Sequence, residues 1–396
     1  MEESDGEYDI VNSGYIERRI EMILFANPKS GSNKAQAYLE LQDKKFTIKV
    51  KEGDITVNIF NLQDDQGRIE GCIKAKELIS LQGNIRIIVA GGDGSLIWAI
   101  QNCIEQDVEV SCVEFGILPF GSGNDLAGTL GWGRDPPSDL FESYAREWWI
   151  AMPRSFDFWE IKAEVHESGG FGRVSKSRNS VSKNFLKADN ENQLIIKRLM
   201  SNYFSVGLDA RIGLGFDKHR TTKKCCNRFF YAWEGLKKMC CCLKTATVTE
   251  LVARIIKQEN NVIIDNTSDD AMAEDTSVIL ALNIRTYGGG EHYVWDKARS
   301  LPHKNWEKQS PSDNKIELLT FEGKMSLGLE QIKCTQGQAR KLDQSEGPFR
   351  IEFNETSPKA YMQIDGEYYF MEKPKQISLK LWDRSPEIKV LFRSKN

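Results

Sequence analysis

Apolar and polar positions alternate in blocks along the first third of the chain. Met22-Ile-Leu-Phe-Ala26 is a continuous apolar run that stops at Asn27-Pro28-Lys29-Ser30-Gly31-Ser32-Asn33. A short apolar run bounded by turn residues predicts a buried strand followed by a loop. The same alternation predicts a helix over 35–41, a strand over 56–60, a helix over 69–81 and a strand over 85–90. Beyond Asp93 it predicts a helix over 95–103, a strand over 115–118 and a helix opening near Asn124. Strands alternating with helices imply a parallel sheet covered on both faces.

The pattern changes near Pro136-Pro137. A Trp-rich helical stretch over 138–150 leads into strand-like runs at 202–208, 277–283, 315–321, 349–353, 360–364 and 376–381. Residues 166–192 are rich in Ser, Gly, Asn and Lys without periodicity, which predicts a mobile insertion. The expected organisation is an acidic flexible start over 1–18, an α/β domain over 19–150 and a larger β-rich, sandwich-like domain over 151–396. The last residues are expected to pack back on the first domain, with the active site in the cleft between the two.

Composition narrows the function classes. The chain has 396 residues, 40% hydrophobic and 28% charged, long enough for two or three domains and unlike a disordered polymer. Its 53 Lys and Arg against 57 Asp and Glu give a net charge of −4, without the basic footprint of a nucleic-acid binder. No apolar run is long enough to span a membrane, and the start MEESDGEYD is acidic where a secretory signal is basic and then apolar. A cytoplasmic protein is expected. The nine cysteines include no C-x-x-C pair, and there are four histidines, so zinc modules of the finger or C1 type lack ligands at the right spacing.

The loops carry the candidate chemistry. Gly91-Gly92-Asp93-Gly94-Ser95 follows one predicted strand and opens a helix, and Gly121-Ser122-Gly123-Asn124-Asp125 follows the next. Glycines there let a phosphate approach backbone N–H groups beside a helix N-terminus. In an open parallel sheet ligands bind outside the carboxyl ends of the strands, where both loops and Asn27–Asn33 would lie. A nucleotide is therefore the expected ligand. Leu126 stands where a dinucleotide fingerprint needs its third glycine, and neither G-x-x-x-x-G-K-[ST] nor a kinase H-R-D or D-F-G occurs.

At these residues the sequence resembles the diacylglycerol kinase family, part of a superfamily with sphingosine and ceramide kinases and, more distantly, NAD kinases and phosphofructokinases. The resemblance runs through Asn27-Pro-Lys-Ser-Gly31, Gly91-Gly-Asp-Gly-Ser95, Gly121-Ser-Gly-Asn-Asp-Leu-Ala127 and Leu130-Gly-Trp-Gly133. It continues through Asn202-Tyr-Phe-Ser-Val-Gly-Leu-Asp-Ala210, Asn283-Ile-Arg-Thr-Tyr-Gly-Gly-Gly290 and Gln363-Ile-Asp-Gly-Glu367. Family members usually carry Thr in place of Ser95 and Ser122, and Arg in place of Gly128 and Phe158. The resemblance implies transfer of the γ-phosphoryl group of MgATP to diacylglycerol at a membrane surface, giving phosphatidic acid. C1 modules and EF-hands, common in relatives, have no trace here, so the chain looks like a catalytic module alone.

Phosphoryl transfer needs positioning, metal neutralisation of phosphate oxygens and a base near the attacking hydroxyl. Asp93 and Asp125 are the candidate Mg²⁺ carboxylates, since Mg²⁺ prefers carboxylate and water oxygens. The expected nucleotide contacts are Asn27, Lys29, Ser30, Gly91, Gly92, Asp93, Gly94, Ser95, Gly121, Ser122, Gly123 and Asn124, with Glu367 nearby. By resemblance to bacterial relatives Asp365 is the first candidate base; Asp209, which matches a position implicated in sphingosine kinases, is the second. The stretch 218–244 holds eight Lys or Arg against one Glu, among Phe229, Phe230, Tyr231 and Trp233, and contains Cys240-Cys241-Cys242. It reads as a surface for anionic membrane lipids, with cysteines open to palmitoylation, or as a helix packed on the second domain. Rival readings are a ceramide or sphingosine kinase, an NAD kinase-like enzyme and a lipid-binding pseudokinase. Asp125 favours diacylglycerol over sphingosine, and the blocks at 202–210 and 283–290 argue against NAD kinase.

Overall fold

The computed structural model describes residues 20–50, 53–121, 123–136, 142–174, 185–187, 194–217, 234–235, 246–258, 261–266, 272–288, 293–300, 305–323, 326 and 337–394. The acidic start at 1–18, Ser122, the three cysteines at 240–242 and all of 218–244 except Glu234 and Gly235 lie outside the described residues.

The first domain is built on a seven-stranded sheet. In chain order its strands are β1 (Ile20–Ala26), β2 (Lys45–Val50), β3 (Gly53–Asn61), β4 (Ile85–Gly91), β5 (Val113–Pro119), β6 (Met152–Ser155) and, from the far end of the chain, β19 (Lys389–Phe392). The spatial order is β2-β3-β1-β4-β5-β19-β6. The run β3-β1-β4-β5-β19 is parallel, with β2 and β6 antiparallel at the edges. The helices are α1 (Gln36–Leu39), α2 (Asp65–Gln82), α3 (Asp93–Glu105), α4 (Asp125–Thr129) and α5 (Glu142–Ile150). Strands β1, β4 and β5 are buried almost throughout, as central parallel strands with both faces covered must be, and this is why they read as unbroken apolar runs.

The second domain is larger and wholly antiparallel. Its strands are β7 (Trp159–Val174), β8 (Phe185–Lys187), β9 (Ile195–Met200), β10 (Tyr203–Gly207), β11 (Val252–Lys257), β12 (Asn261–Asp265), β13 (Thr276–Leu282), β14 (Ile316–Glu322), β15 (Ala339–Ser345), β16 (Phe349–Phe353), β17 (Lys359–Ile364) and β18 (Glu367–Leu381). They form one 12-stranded sheet, close to a barrel, where two packed sheets were expected. The reason lies in the long strand β18. Its first half pairs with β17, its second with β16, and β7 runs along both. Register shifts on either side of Pro374 bend it between the halves; such bulges curve a sheet on itself. Part of the expected insertion is sheet, since β7 runs on to Val174 and Phe185–Lys187 pairs with it. One helix, α6 (Leu208–Asp217), follows β10 directly. Among the described residues no helix is long and apolar enough to cross a membrane.

Candidate active site

Three loops meet at the carboxyl ends of β1, β4 and β5 because these strands are neighbours, with Ala26 opposite Ala90 and Gly91 opposite Pro119. The Asn27 N–H donates to the Ala90 carbonyl at 3.0 Å, and the Phe120 N–H to the Gly91 carbonyl at 2.9 Å. The second and third loops touch backbone to backbone. A Cβ on Gly121 would stand 2.6 Å from Gly92 Cα, an approach that glycine alone permits. A Cβ on Gly94, by contrast, would meet nothing within 4 Å, so the start of α3 faces open space.

Polar side chains lock these loops. The Asn27 amide donates to Ser95 Oγ at 2.9 Å, and Asn27 Oδ1 accepts the Lys29 N–H at 3.1 Å. Asn124 takes up a left-handed backbone with φ 55°. Its amide donates to the carbonyls of Pro119, Gly121 and Arg134 at 3.2, 2.9 and 2.7 Å. Ser30 is half-buried, with its N–H on the Asn27 carbonyl. Gly123 is exposed. Lys29 is also exposed, and its Nζ donates to Gln63 Oε1 at 3.2 Å.

The acids come next. Asp93 opens α3, and its Oδ2 accepts the Leu126 N–H at 3.1 Å and the Asn202 amide at 2.8 Å. Its other oxygen, Oδ1, is buried without a hydrogen-bond donor. Asp125 opens α4; the Tyr203 hydroxyl donates to its Oδ2 at 2.9 Å, and Arg134 Nη2 pairs with its Oδ1 at 3.1 Å. Asn202 and Tyr203 belong to the second domain, so both carboxylates are held across the junction of the two sheets.

Asp365 fixes the segment that makes those bonds. It sits at the β17–β18 turn with φ 46°. Its Oδ2 accepts the Ser201 N–H at 2.7 Å and the Ser201 hydroxyl at 3.0 Å, and its Oδ1 accepts the N–H groups of Asn202 and Tyr203 at 2.8 and 3.0 Å. Glu367, two residues on, is exposed and accepts the Tyr369 hydroxyl at 2.7 Å. Asp209, at the start of α6, accepts the hydroxyls of Ser205 and Tyr287 on Oδ2, while its Oδ1 is buried without a donor. The Tyr287 ring packs edge-on against Tyr203 at 5.0 Å. Asp209 thus joins the cluster through two tyrosines.

Burial dominates the electrostatics. It pushes the Asp93 carboxyl up to about 6, with Asp125 adding to the rise and the Leu126 and Asn202 donors opposing it. Burial likewise raises Asp365 to about 7 against three backbone donors, and it raises Asp209 against the Ser205 and Tyr287 hydroxyls. The Tyr203 hydroxyl is held protonated by burial and then by the Asp125 charge.

The structure therefore brings together Asn27, Gly91, Gly92, Asp93, Ser95, Gly121, Asn124, Asp125 and Asp365, with Asp209 behind them. It leaves the exposed Lys29 and Glu367 side chains on partners of their own, Gln63 and Tyr369. Asn202, Tyr203, Asn283 and Tyr287 lie in blocks that carry the family resemblance but have no site role in the sequence pattern, and Arg134 lies outside every such block. Asn283 is fully buried; its amide donates to the carbonyls of Ser201 and Asp157, and its Oδ1 accepts the Trp159 indole. A polar residue closing an apolar strand run, as Asn283 closes Thr276–Leu282, is the signal that could have found it. Phe158 is fully buried between Phe156 and Trp382, so a cation at that position would have no place in this packing.

Two family models match the chain, the diacylglycerol kinase catalytic domain over residues 21–152 and the diacylglycerol kinase accessory domain over residues 199–368. The probable diacylglycerol kinase 3 of Caenorhabditis elegans is 27% identical over 369 residues, 87% of this chain and 41% of the worm protein. The eye-specific diacylglycerol kinase of Drosophila melanogaster is 26% identical across 92% of this chain and 22% of its own length. Human diacylglycerol kinase zeta is 27% identical across 87% of this chain and 33% of its own length. The chain spans less than half the length of each of these relatives. With both domain models matched in order, and the two units joined through Asp93, Asn202, Asp125 and Tyr203, the chain belongs to the diacylglycerol kinase family.

Proposed function

We propose that this protein transfers the γ-phosphoryl group of ATP to the free hydroxyl of diacylglycerol, giving phosphatidic acid and ADP. The observation that carries the reading is Asp93, set between two glycine loops, bonded across the domain junction, and holding one buried carboxylate oxygen without a donor. A cation would satisfy that oxygen. Mg²⁺ is bound by one or two carboxylates plus water and substrate phosphates, a need that the Asp93 oxygen would meet. Asp93 would hold it, with Asp125 one step back because Tyr203 and Arg134 engage both its oxygens. Mg²⁺, when bound, neutralises charge on the phosphate oxygens. The backbone of 91–95 and 121–125 would form the phosphate loops, and Asn27 and Ser95 hold the first of these in shape.

For Asp365 the hydrogen bonds favour positioning over proton transfer, since both its oxygens already accept backbone N–H groups. Asp209 Oδ1 has no donor and is the better candidate to take the proton of the attacking hydroxyl. The lipid would be met at a membrane, with the basic and aromatic stretch 218–244 as the contact for anionic headgroups, each Lys or Arg contributing roughly 1 kcal/mol near such a surface.

One experiment tests the whole reading. The protein is given γ-labelled ATP, Mg²⁺ and, in parallel, diacylglycerol, ceramide, sphingosine and NAD, with lipids in neutral vesicles, anionic vesicles and detergent micelles. Labelled phosphatidic acid is expected, faster on anionic than on neutral vesicles and slowed there by salt. Asp93→Asn is expected to abolish turnover. Asp209→Asn is expected to lower kcat by ~10²–10⁴ without weakening ATP binding. Label entering only NAD, or none of the acceptors, rejects the kinase reading; Asp365→Asn lowering kcat while Asp209→Asn does not restores Asp365 as the base.

A further inference from the structure

We propose that Arg134 is a positioning residue of this phosphoryl-transfer site, and that the missing side chain at Gly128 is what admits it. The inference rests on the kinase reading above and concerns how its carboxylates are held.

Helix α4 begins with Asp125, and Gly128 lies three residues on. Residues i and i+3 share a helix face, so a side chain at 128 would stand beside the Asp125 carboxylate. Gly128 has none, and Arg134 fills the space from the following loop. A Cβ on Gly128 would meet Arg134 Nε at 2.9 Å and Cγ at 3.1 Å. From there Nη2 reaches Asp125 Oδ1 at 3.1 Å and donates to Thr286 Oγ1 at 3.1 Å. The backbone of Arg134 is pinned by the Asn124 amide on its carbonyl at 2.7 Å. One guanidinium therefore ties the third glycine loop to the second domain.

The consequence falls on Asp93. Asp125 is buried, with a side chain 4% exposed, and the next residue, Leu126, donates the N–H that orients Asp93. A buried carboxylate stripped of its cation is strongly unfavourable. Without Arg134, α4 would have to shift, and that shift disturbs the Leu126 N–H that orients Asp93. The Arg134 side chain is itself 24% exposed, so its removal opens no core cavity.

The test compares wild type, Arg134→Gln, Arg134→Lys, Gly128→Arg and the double variant Gly128→Arg/Arg134→Gly. The readouts are kcat/KM on diacylglycerol vesicles, MgATP affinity by equilibrium dialysis, and thermal midpoint. Arg134→Gln is expected to lose ten- to a hundredfold in kcat/KM and at least fivefold in MgATP affinity. Arg134→Lys, which keeps one charge but not the two-sided reach, should fall between, and Gly128→Arg alone should be impaired because two arginines compete for one space. The double variant returns a guanidinium to the Asp125 face and should recover at least fivefold over Arg134→Gln. A purely structural tie would move the thermal midpoint alone. The proposal is overturned if Arg134→Gln stays within twofold of wild type in both kinetic and binding readouts, or if the double variant recovers nothing. Wild type that binds MgATP but phosphorylates no lipid rejects the kinase reading, and the affinity series still decides the role of Arg134. Wild type that binds no MgATP rejects both.

Discussion

Asp93 and Asp365 are the same residue type within one cluster, and their neighbours give them different work. Asp365 spends both oxygens on the backbone of 201–203, which is how a carboxylate anchors a loop; Asp93 keeps one oxygen free of donors, which is how a carboxylate receives a cation. Neither difference is written in the D-G-E or G-G-D-G strings, because it depends on donors more than a hundred residues away. A fully buried carboxyl outside the cluster, Glu317, shows the same rule in stability. Its oxygens accept the side-chain amides of Gln309 at 2.7 Å and Gln344 at 3.0 Å. Burial pushes it up to about 8, with Asp313 adding and the two amides opposing. The unfolded value is ~4.3, so between those values the folded chain holds a proton that the unfolded chain has released. The stability Glu317 contributes is complete below about pH 4.3 and is lost as pH rises to about 8, at up to ~1.4 kcal/mol per pH unit. Glu317→Gln should lack this decline. In thermal melts the variant should gain on wild type from pH 5 to 8 and gain no more above that; parallel curves would show that Glu317 ionises freely in the fold.

At the scale of elements, the strand–loop–helix alternation of the first domain was readable from the chain because burial on both sheet faces leaves continuous apolar runs. Boundaries were less so. Helix α2 starts at Asp65, four residues before the expected 69, because the Asp64 side chain caps it by accepting the Gly67 N–H at 2.9 Å. The edge strand Lys45–Val50 was missed, its lysines and short apolar content hiding the pairing with β3. Within α2, Gly71 lies against the sheet, where a Cβ would stand 2.5 Å from Phe25 Cζ and 3.2 Å from Phe60 Cγ. Gly71→Ala should gain up to about 1 kcal/mol in helix propensity. It should lose about 1–3 kcal/mol by overpacking, and since Phe25 is 1% exposed the ring has nowhere to go. A thermal midpoint several degrees below wild type is expected, whereas Ile73→Ala, 61% exposed on the outer face, should leave it nearly unchanged. A Gly71→Ala variant as stable as wild type would mean that the helix rides off the sheet at little cost.

The whole molecule is closed by its last strand. Lys389–Phe392 enters the first sheet between β5 and β6, parallel to one and antiparallel to the other, and Val390 and Leu391 are fully buried there. The Trp132 indole donates to the Leu391 carbonyl at 2.8 Å, and the Arg393 N–H to the Leu130 carbonyl at 2.9 Å, so the same strand supports the loop that carries Arg134. A chain ending at Pro386 leaves β5 unpaired on one side and Trp132 without its acceptor. We expect it to lose the cooperative melt of the first domain and to expose apolar surface to a dye such as ANS; a truncated chain that melts like wild type would show β19 to be dispensable. Within the chain itself lay the fold class of the first domain, the glycine loops and the acids worth naming, since local burial pattern and local backbone demands leave local traces. Tertiary structure alone decided which acids have spare oxygens, that Asn202 and Tyr203 span the two domains, that Arg134 occupies the room beside Asp125, and that the last residues enter the first sheet as a four-residue strand between β5 and β6. Apart from the local pairing of Arg134 with Asp125, these are contacts between residues distant in sequence, set by sheet order and register, and no periodicity within a short window encodes them.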